Sequence, residues 1–312
     1  MTLHTTIRAA FAILLPEISP VAISMCSAGT ALFVIGILAA KRDLVQARGL
    51  NKIVVLSNMC FAIPLAVFGA EHLAAAKSLA EGVPAYVPGH LFWAYFVGFA
   101  LIAAALSIAT KIQLQWSGLL FGIMMFLFDA MIHIPRTLAD PHNRISWIIV
   151  LREMSFGSGA WILSGSAVEG WGARGKSVLI TVGRLLIGSA AIFFSVQHFL
   201  HPALAPGVPL GKPMAVWIPA RVAIGYLTGV ILLFSGICIL LAMMTRSAAI
   251  ALGTWIVLLV VYVYGPMLVA ALLAPSTAVK VEGINYFADT LLFAGVILTL
   301  ARATPGRAEI PH

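Results

Sequence analysis

Seven charged residues lie inside otherwise apolar stretches of this sequence: Glu71, Asp129, Arg152, Glu153, Arg184, Arg221 and Asp289. A charge at the middle of a membrane span costs about 2.5 to 3.5 kcal/mol on insertion scales, so each asks for a partner, water or a function. Histidines follow the same pattern, because His72, His90, His133, His142, His198 and His201 fall at or near one set of span ends. Asp129 and His133 are four apart and His198 and His201 three apart, so on helices each pair shares a face. Glu71 and His72 are adjacent and point in different directions. Arg184 reads as a side chain that snorkels to the interface.

Three chemistries fit these residue types. In a quinone pocket, a ring carbonyl takes a hydrogen bond from His72, His90, His198 or Arg221, with Tyr95 and Tyr226 beside the ring. Quinol oxidation then needs a carboxylate such as Glu71, Asp129 or Glu153 to take the proton. A metal or haem b site would use His72 and His198 as axial ligands, or Asp129 with His133 in a mononuclear centre. The third reading is structural, with carboxylates and arginines pairing to hold helices together. Phe92, Trp93, Tyr95, Phe96, Tyr262 and Tyr264 either stack on a ring or form an interfacial belt. Cys26, Cys60 and Cys238 show no ligand-like spacing and read as small buried hydrophobes.

The elements that must position these residues follow from composition. Of 312 residues 61% are apolar and only 10% charged, with mean hydropathy +1.03, where a soluble domain carries about 25% charged residues. That excludes a soluble globular protein, and the unbroken apolar runs exclude an alternating outer-membrane barrel. The expected class is an all-α polytopic membrane protein. Windows of about 19 residues place nine spans near 20 to 40, 53 to 73, 91 to 110, 116 to 135, 146 to 167, 178 to 200, 216 to 244, 247 to 274 and 284 to 301. The net charge of +8 is scattered through short loops with no contiguous basic run, so it reads as topology, not as a nucleic-acid surface. The basic-residue bias places the N-terminus outside and the C-terminus in the cytoplasm of a cytoplasmic (inner) membrane. Ala9 to Leu15 lacks a cleavage pattern and reads as an uncleaved N-terminal segment.

The chain also repeats itself, as spans 2 to 5 recur in spans 6 to 9. Glu71-His72 aligns with Gln197-His198, Val87-Pro88-Gly89-His90 with Ile218-Pro219-Ala220-Arg221, Tyr95 to Gly98 with Tyr226 to Gly229, and Thr110-Lys111 with Thr245-Arg246. The expected organisation is an N-terminal segment and extra helix (1–52), a first four-helix unit (53–167), a second (178–302) and a cytoplasmic tail (303–312). An even number of helices per unit makes the repeat parallel, about an axis along the membrane normal.

In the second unit, Ala220 to Gly229 and Leu240 to Ala249, with its Thr245-Arg246-Ser247-Ala248-Ala249 turn, resemble the DoxX family of small four-helix membrane proteins, which is related to the DoxD subunit of thiosulfate:quinone oxidoreductase. The resemblance covers 178–302 and, through the repeat, extends more loosely to 53–167. It implies duplicated four-helix bundles serving membrane redox chemistry, with a protein partner in a redox complex, and it carries over no catalytic residue. The expected function is therefore quinone binding, or electron and proton relay, at the outer membrane face. The alternatives are a proton-coupled small-molecule transporter and a structural anchor of a larger complex. No Walker loop, GxGxxG, GxSxG or HExxH motif is present.

Overall fold

The computed structural model describes residues 19–167 and 173–304, and the Ala9 to Leu15 segment and the end of the tail lie outside them. Ser19 Oγ accepts the Ala22 amide at 3.3 Å and Pro20 takes the first helical position, starting α1 (Pro20–Gln46). There follow α2 (Asn51–Val55), α3 (Ser57–Ala74), α4 (Ala76–Ala80), α5 (His90–Thr110), α6 (Leu114–Phe128), α7 (Ile134–Ala139) and α8 (Arg144–Ala167). The second half contains α9 (Ala173–Leu200), α10 (Arg221–Leu240), α11 (Thr245–Leu259), α12 (Gly265–Leu272) and α13 (Thr277–Ala303). One π-helical turn, Asp129–His133, joins α6 to α7, and another, Val260–Tyr264, joins α11 to α12.

Seven helices among the described residues are long and apolar enough to cross a membrane: α1, α5, α6 through α7, α9, α10, α11 through α12, and α13. The expected spans at 53 to 73 and 146 to 167 form as α3 and α8 but fall outside that apolar set. Both carry the polar residues singled out above, Glu71 and His72 in α3 and Arg152 and Glu153 in α8. Their polarity is tolerated because they are interior. α3 packs between α1, α5 and α13, and α8 between α6, α9 and α13. α13 is the axis of the bundle: 78% of its apolar window is buried, against 28 to 39% in the other six. Hence α3, at the start of the first expected unit, leans on α13, at the end of the second, while α9 leans on α8.

The two halves share local detail. Each π turn begins fifteen residues into its helix, and a proline stands second in the helix that follows, Pro135 and Pro266. Proline has no N–H to offer and its ring crowds the carbonyl four residues earlier, which widens the preceding turn. The Met131 carbonyl released in this way accepts the Tyr86 hydroxyl at 3.3 Å. Ahead of α6 and α11, the non-glycine residues Lys111, Gln113, Ala242 and Met244 all adopt positive φ. Each of these joints is closed by a backbone bond spanning five residues, Ile112 to Ser107 and Met243 to Cys238. Gly98 and Gly229 are each where a helix meets a histidine: a Cβ there would lie 3.1 Å from His72 Cβ and 3.2 Å from His198 Cβ, respectively.

Close approach at the axis depends on Gly295. A Cβ at this position would stand 2.7 Å from the Phe61 backbone nitrogen and 2.9 Å from the Cys60 carbonyl carbon, neither of which can rotate away. Gly295→Leu is therefore expected to separate α13 from α3 at a cost of about 1–3 kcal/mol, seen as a lower thermal midpoint of the detergent-purified protein. An unchanged midpoint would contradict this packing.

Candidate functional site

The polar residues of α3, α8 and α13 converge. Arg152 donates from Nη1 to Asp289 Oδ2 at 2.7 Å and from Nη2 and Nε to Glu153 Oε1 at 2.6 and 3.1 Å. One guanidinium thus ties α8 to α13 through two carboxylates, all three groups largely buried. One turn before Asp289, Asn285 donates to Glu71 Oε1 at 3.1 Å and ties α13 to α3. Asn285 is the residue that sequence reading missed, although its i, i+4 spacing from Asp289 marks a polar stripe on one face of α13. Asp129, in the first π turn, is 1% exposed, and neither of its carboxylate oxygens is hydrogen-bonded among the described residues. It stands within electrostatic reach of Arg152 and Glu153.

Apart from Asp129, which does not line it, these groups stand at one end of a cavity of about 1250 Å³ bounded mainly by α3, α5, α6, α8 and α13. Glu71, His72, His133, Arg152, Glu153 and Asp289 line its polar end, while Val97, Leu101 and Ala104 of α5 and Phe121, Met124 and Phe128 of α6 line the rest. It reaches from His133 to Ser117, sixteen residues along one helix and so about 24 Å at 1.5 Å per residue, most of a hydrocarbon core of about 30 Å. Leu120, Ile123 and Leu127 line it while being 60%, 40% and 50% exposed, so it opens sideways between helices. Glu71 and His72 do diverge, as expected of neighbours on a helix, Glu71 toward Asn285 and His72 toward Gly98 on α5. Both nevertheless reach the cavity, which wraps around that end of α3.

His72 Nδ1 lies 2.9 Å from the Phe68 carbonyl. A carbonyl can only accept, so Nδ1 carries the hydrogen and Nε2 is left with a lone pair for a donor in the cavity. A shallower vestibule of about 630 Å³ meets the same site from the loop side, and Arg152, Leu210, Glu282 and Tyr286 line both spaces. Lys212 closes its rim, with Nζ 2.5 Å from Glu282, 5.4 Å from the Tyr286 ring centroid, and its amide donating to Tyr286 Oη at 3.2 Å.

The other sequence-selected residues stand apart. His90 and Arg221 open α5 and α10, and Tyr95 and Tyr226 point outward at 40% and 46% exposure; none of the four lines the cavity. His198 is fully buried in the second half, where its Nε2 accepts the Gly207 amide at 3.1 Å. It is not among the residues lining the cavity that holds His72, so the two histidines do not face a shared pocket. No group of three or more His, Cys, Asp or Glu able to hold a metal occurs among the described residues. Arg184 has a specific partner: its Nη1 donates to the Ile239 and Leu240 carbonyls, both at 2.6 Å, and closes the end of α10.

Removing one partner of a buried pair strands the others. Arg152→Gln is expected to cost about 3–5 kcal/mol, read as a large fall in the thermal midpoint. The triple change R152Q/E153Q/D289N, which removes the stranded charges, should recover most of it, whereas a triple variant no better than the single one would contradict this account. No protein-family model, curated protein or solved structure matches the chain.

Proposed function

We propose that this protein is a membrane component of a redox system that binds an isoprenoid quinone or its quinol in the cavity. The observation that carries the reading is the cavity's division into a long apolar tunnel open to the side and a polar end built from His72, Glu71, Arg152 and Glu153. A compact polar solute has no use for such a tunnel, and a wholly apolar one has no use for the charges. A head with a long hydrocarbon tail matches both. His72 Nε2 suits a quinol hydroxyl, and the Glu71 and Glu153 carboxylates, which line the same end, suit the role of accepting the proton that the hydroxyl gives up. In this reading a partner protein holding a metal or haem centre takes the two electrons that a quinol releases.

In this reading α3 and α8 also lie in the membrane, giving nine spans, with the loops at 75–89 and 201–220 at the outer face of the cytoplasmic membrane. The matched π turns, joints and glycine–histidine contacts support a duplicated four-helix unit of the DoxX-like kind. A transporter is the second reading, favoured by the vestibule that meets the cavity at Arg152. In that case Arg152 and its carboxylates would gate a proton-coupled path, and proteoliposomes would acidify on addition of substrate.

Organic extraction of the detergent-purified protein is expected to yield about one quinone per chain. Ala104→Trp, which fills the tunnel without touching the polar end, should lower the retained quinone by about tenfold or more. Absence of quinone from the unaltered protein, or equal retention by A104W, would contradict the reading.

A further inference from the structure

In the second half, the place beside His198 that corresponds to the cavity beside His72 is occupied by the chain's own backbone, which packs against Tyr264, Ile256 and Thr290. After α9 a tongue leaves the bundle and folds back, held by Ala205 N–H to Lys212 O (2.8 Å), Met214 N–H to Ala203 O (2.9 Å) and a bridge between Leu204 and Pro213. Its tip, Ala205 to Pro209, is buried throughout. Arg144 anchors the tongue by donating to the Pro209 and Leu210 carbonyls at 2.7 and 3.1 Å.

One peptide group in that tip is gripped from both sides. The amide of Gly207 donates to His198 Nε2 at 3.1 Å, and the carbonyl of Pro206, in the same peptide unit, accepts the Tyr264 hydroxyl at 2.7 Å. His198 stands on α9 as His72 does on α3, each against the matching glycine, Gly229 or Gly98. Tyr264 closes the second π turn as His133 closes the first. Both histidines present a bare Nε2, one to Gly207 and one to the cavity. At the corresponding place in the first half, the loop 75–89 stays at the rim, contributing Leu79, Gly82, Val83 and Pro84 to the cavity wall.

We infer that His72 and His133 together hold the head of the amphiphile bound in the open cavity, in the manner in which His198 and Tyr264 hold the Pro206–Gly207 peptide. The inference rests on the reading of the cavity as a quinol site and specifies its chemistry. The head presents a donor and an acceptor side by side, the donor to His72 Nε2 and the acceptor to the His133 ring N–H. A single phenolic hydroxyl supplies both. The ring side chain of His133 makes no hydrogen bond among the described residues, which leaves it available for that role.

The test is a binding measurement on the full-length detergent-solubilised protein, by tryptophan quenching, with decylubiquinol and with its di-O-methyl ether, which keeps ring and tail but has neither hydroxyl left to donate. The unaltered protein is expected to prefer the quinol by about tenfold, and His72→Phe to remove that preference by weakening quinol binding alone. His72→Gln keeps an acceptor oxygen near the Nε2 position and should retain most of the preference. His133→Phe should weaken both probes, since both retain an oxygen that accepts. Equal loss of both probes in H72F, or no loss in either histidine variant while the unaltered protein binds, would overturn the assignment and leave the cavity reading standing. Failure of the unaltered protein to bind either probe would overturn both.

Discussion

A guanidinium between two carboxylates, buried where two interior helices cross, is the interaction on which this architecture depends. Arg152 reaches Glu153 on its own helix and Asp289 on α13, and an arginine so placed cannot be left unpaired in a low-dielectric interior. The requirement fixes which faces of α8 and α13 meet. The Asn285–Glu71 bond one turn away fixes α3 in the same way. With three helices set around a polar knot, the surrounding apolar helices can pack through small residues and close backbone approach, as at Gly295. The knot then becomes the polar end of a cavity whose walls are otherwise hydrocarbon.

Polarity and position are thus linked in a way that apolar windows alone do not capture. α3 and α8 fall short of the other long helices in apolar character because they carry the site, and they can carry it because lipid does not touch those faces. α13 is richer in polar groups than a lipid-facing helix could bear and is also the most deeply buried of the seven apolar helices. The two halves of the bundle share π turns, positive-φ joints and glycine–histidine contacts but use the adjoining space differently. In one, the space beside the first helix is open to the side; in the other, a proline- and glycine-containing tongue occupies it and donates to Nε2 of the same kind of histidine.

Much of this was legible in the sequence. Apolar windows locate the helices, and the cost of intramembrane charge picks out Glu71, Asp129, Arg152, Glu153 and Asp289, but equally Arg184 and Arg221, which stand apart from the site; His72 is marked only by the histidine pattern. What could not be read was direction. Arg184 looks from its position like a snorkelling residue, yet it is long enough to reach back to the last carbonyls of α10, which need a donor as much as it needs an acceptor. His72 and His198 align in the repeat, but alignment says nothing about the tongue that buries one and leaves the other on a cavity wall. The Leu204 to Pro213 stretch falls between the spans expected at 178 to 200 and 216 to 244. Its inward fold depends on Arg144, Tyr264 and His198, three residues distant from one another in sequence. The π turns were signalled only by Pro135 and Pro266, each four residues beyond a carbonyl that a regular helix would have paired.

The central claim is that the cavity between α5 and α6 holds a molecule with a polar head and a long tail. The most direct test is a density map of the full-length protein in lipid nanodiscs prepared from its native membrane. An elongated, single-tailed density is expected to run from near Ser117 toward the polar end and to terminate in a flat ring-sized head between His72 and His133. A cavity containing only separated water-sized peaks, or one closed by inward movement of α5 and α6, would contradict it.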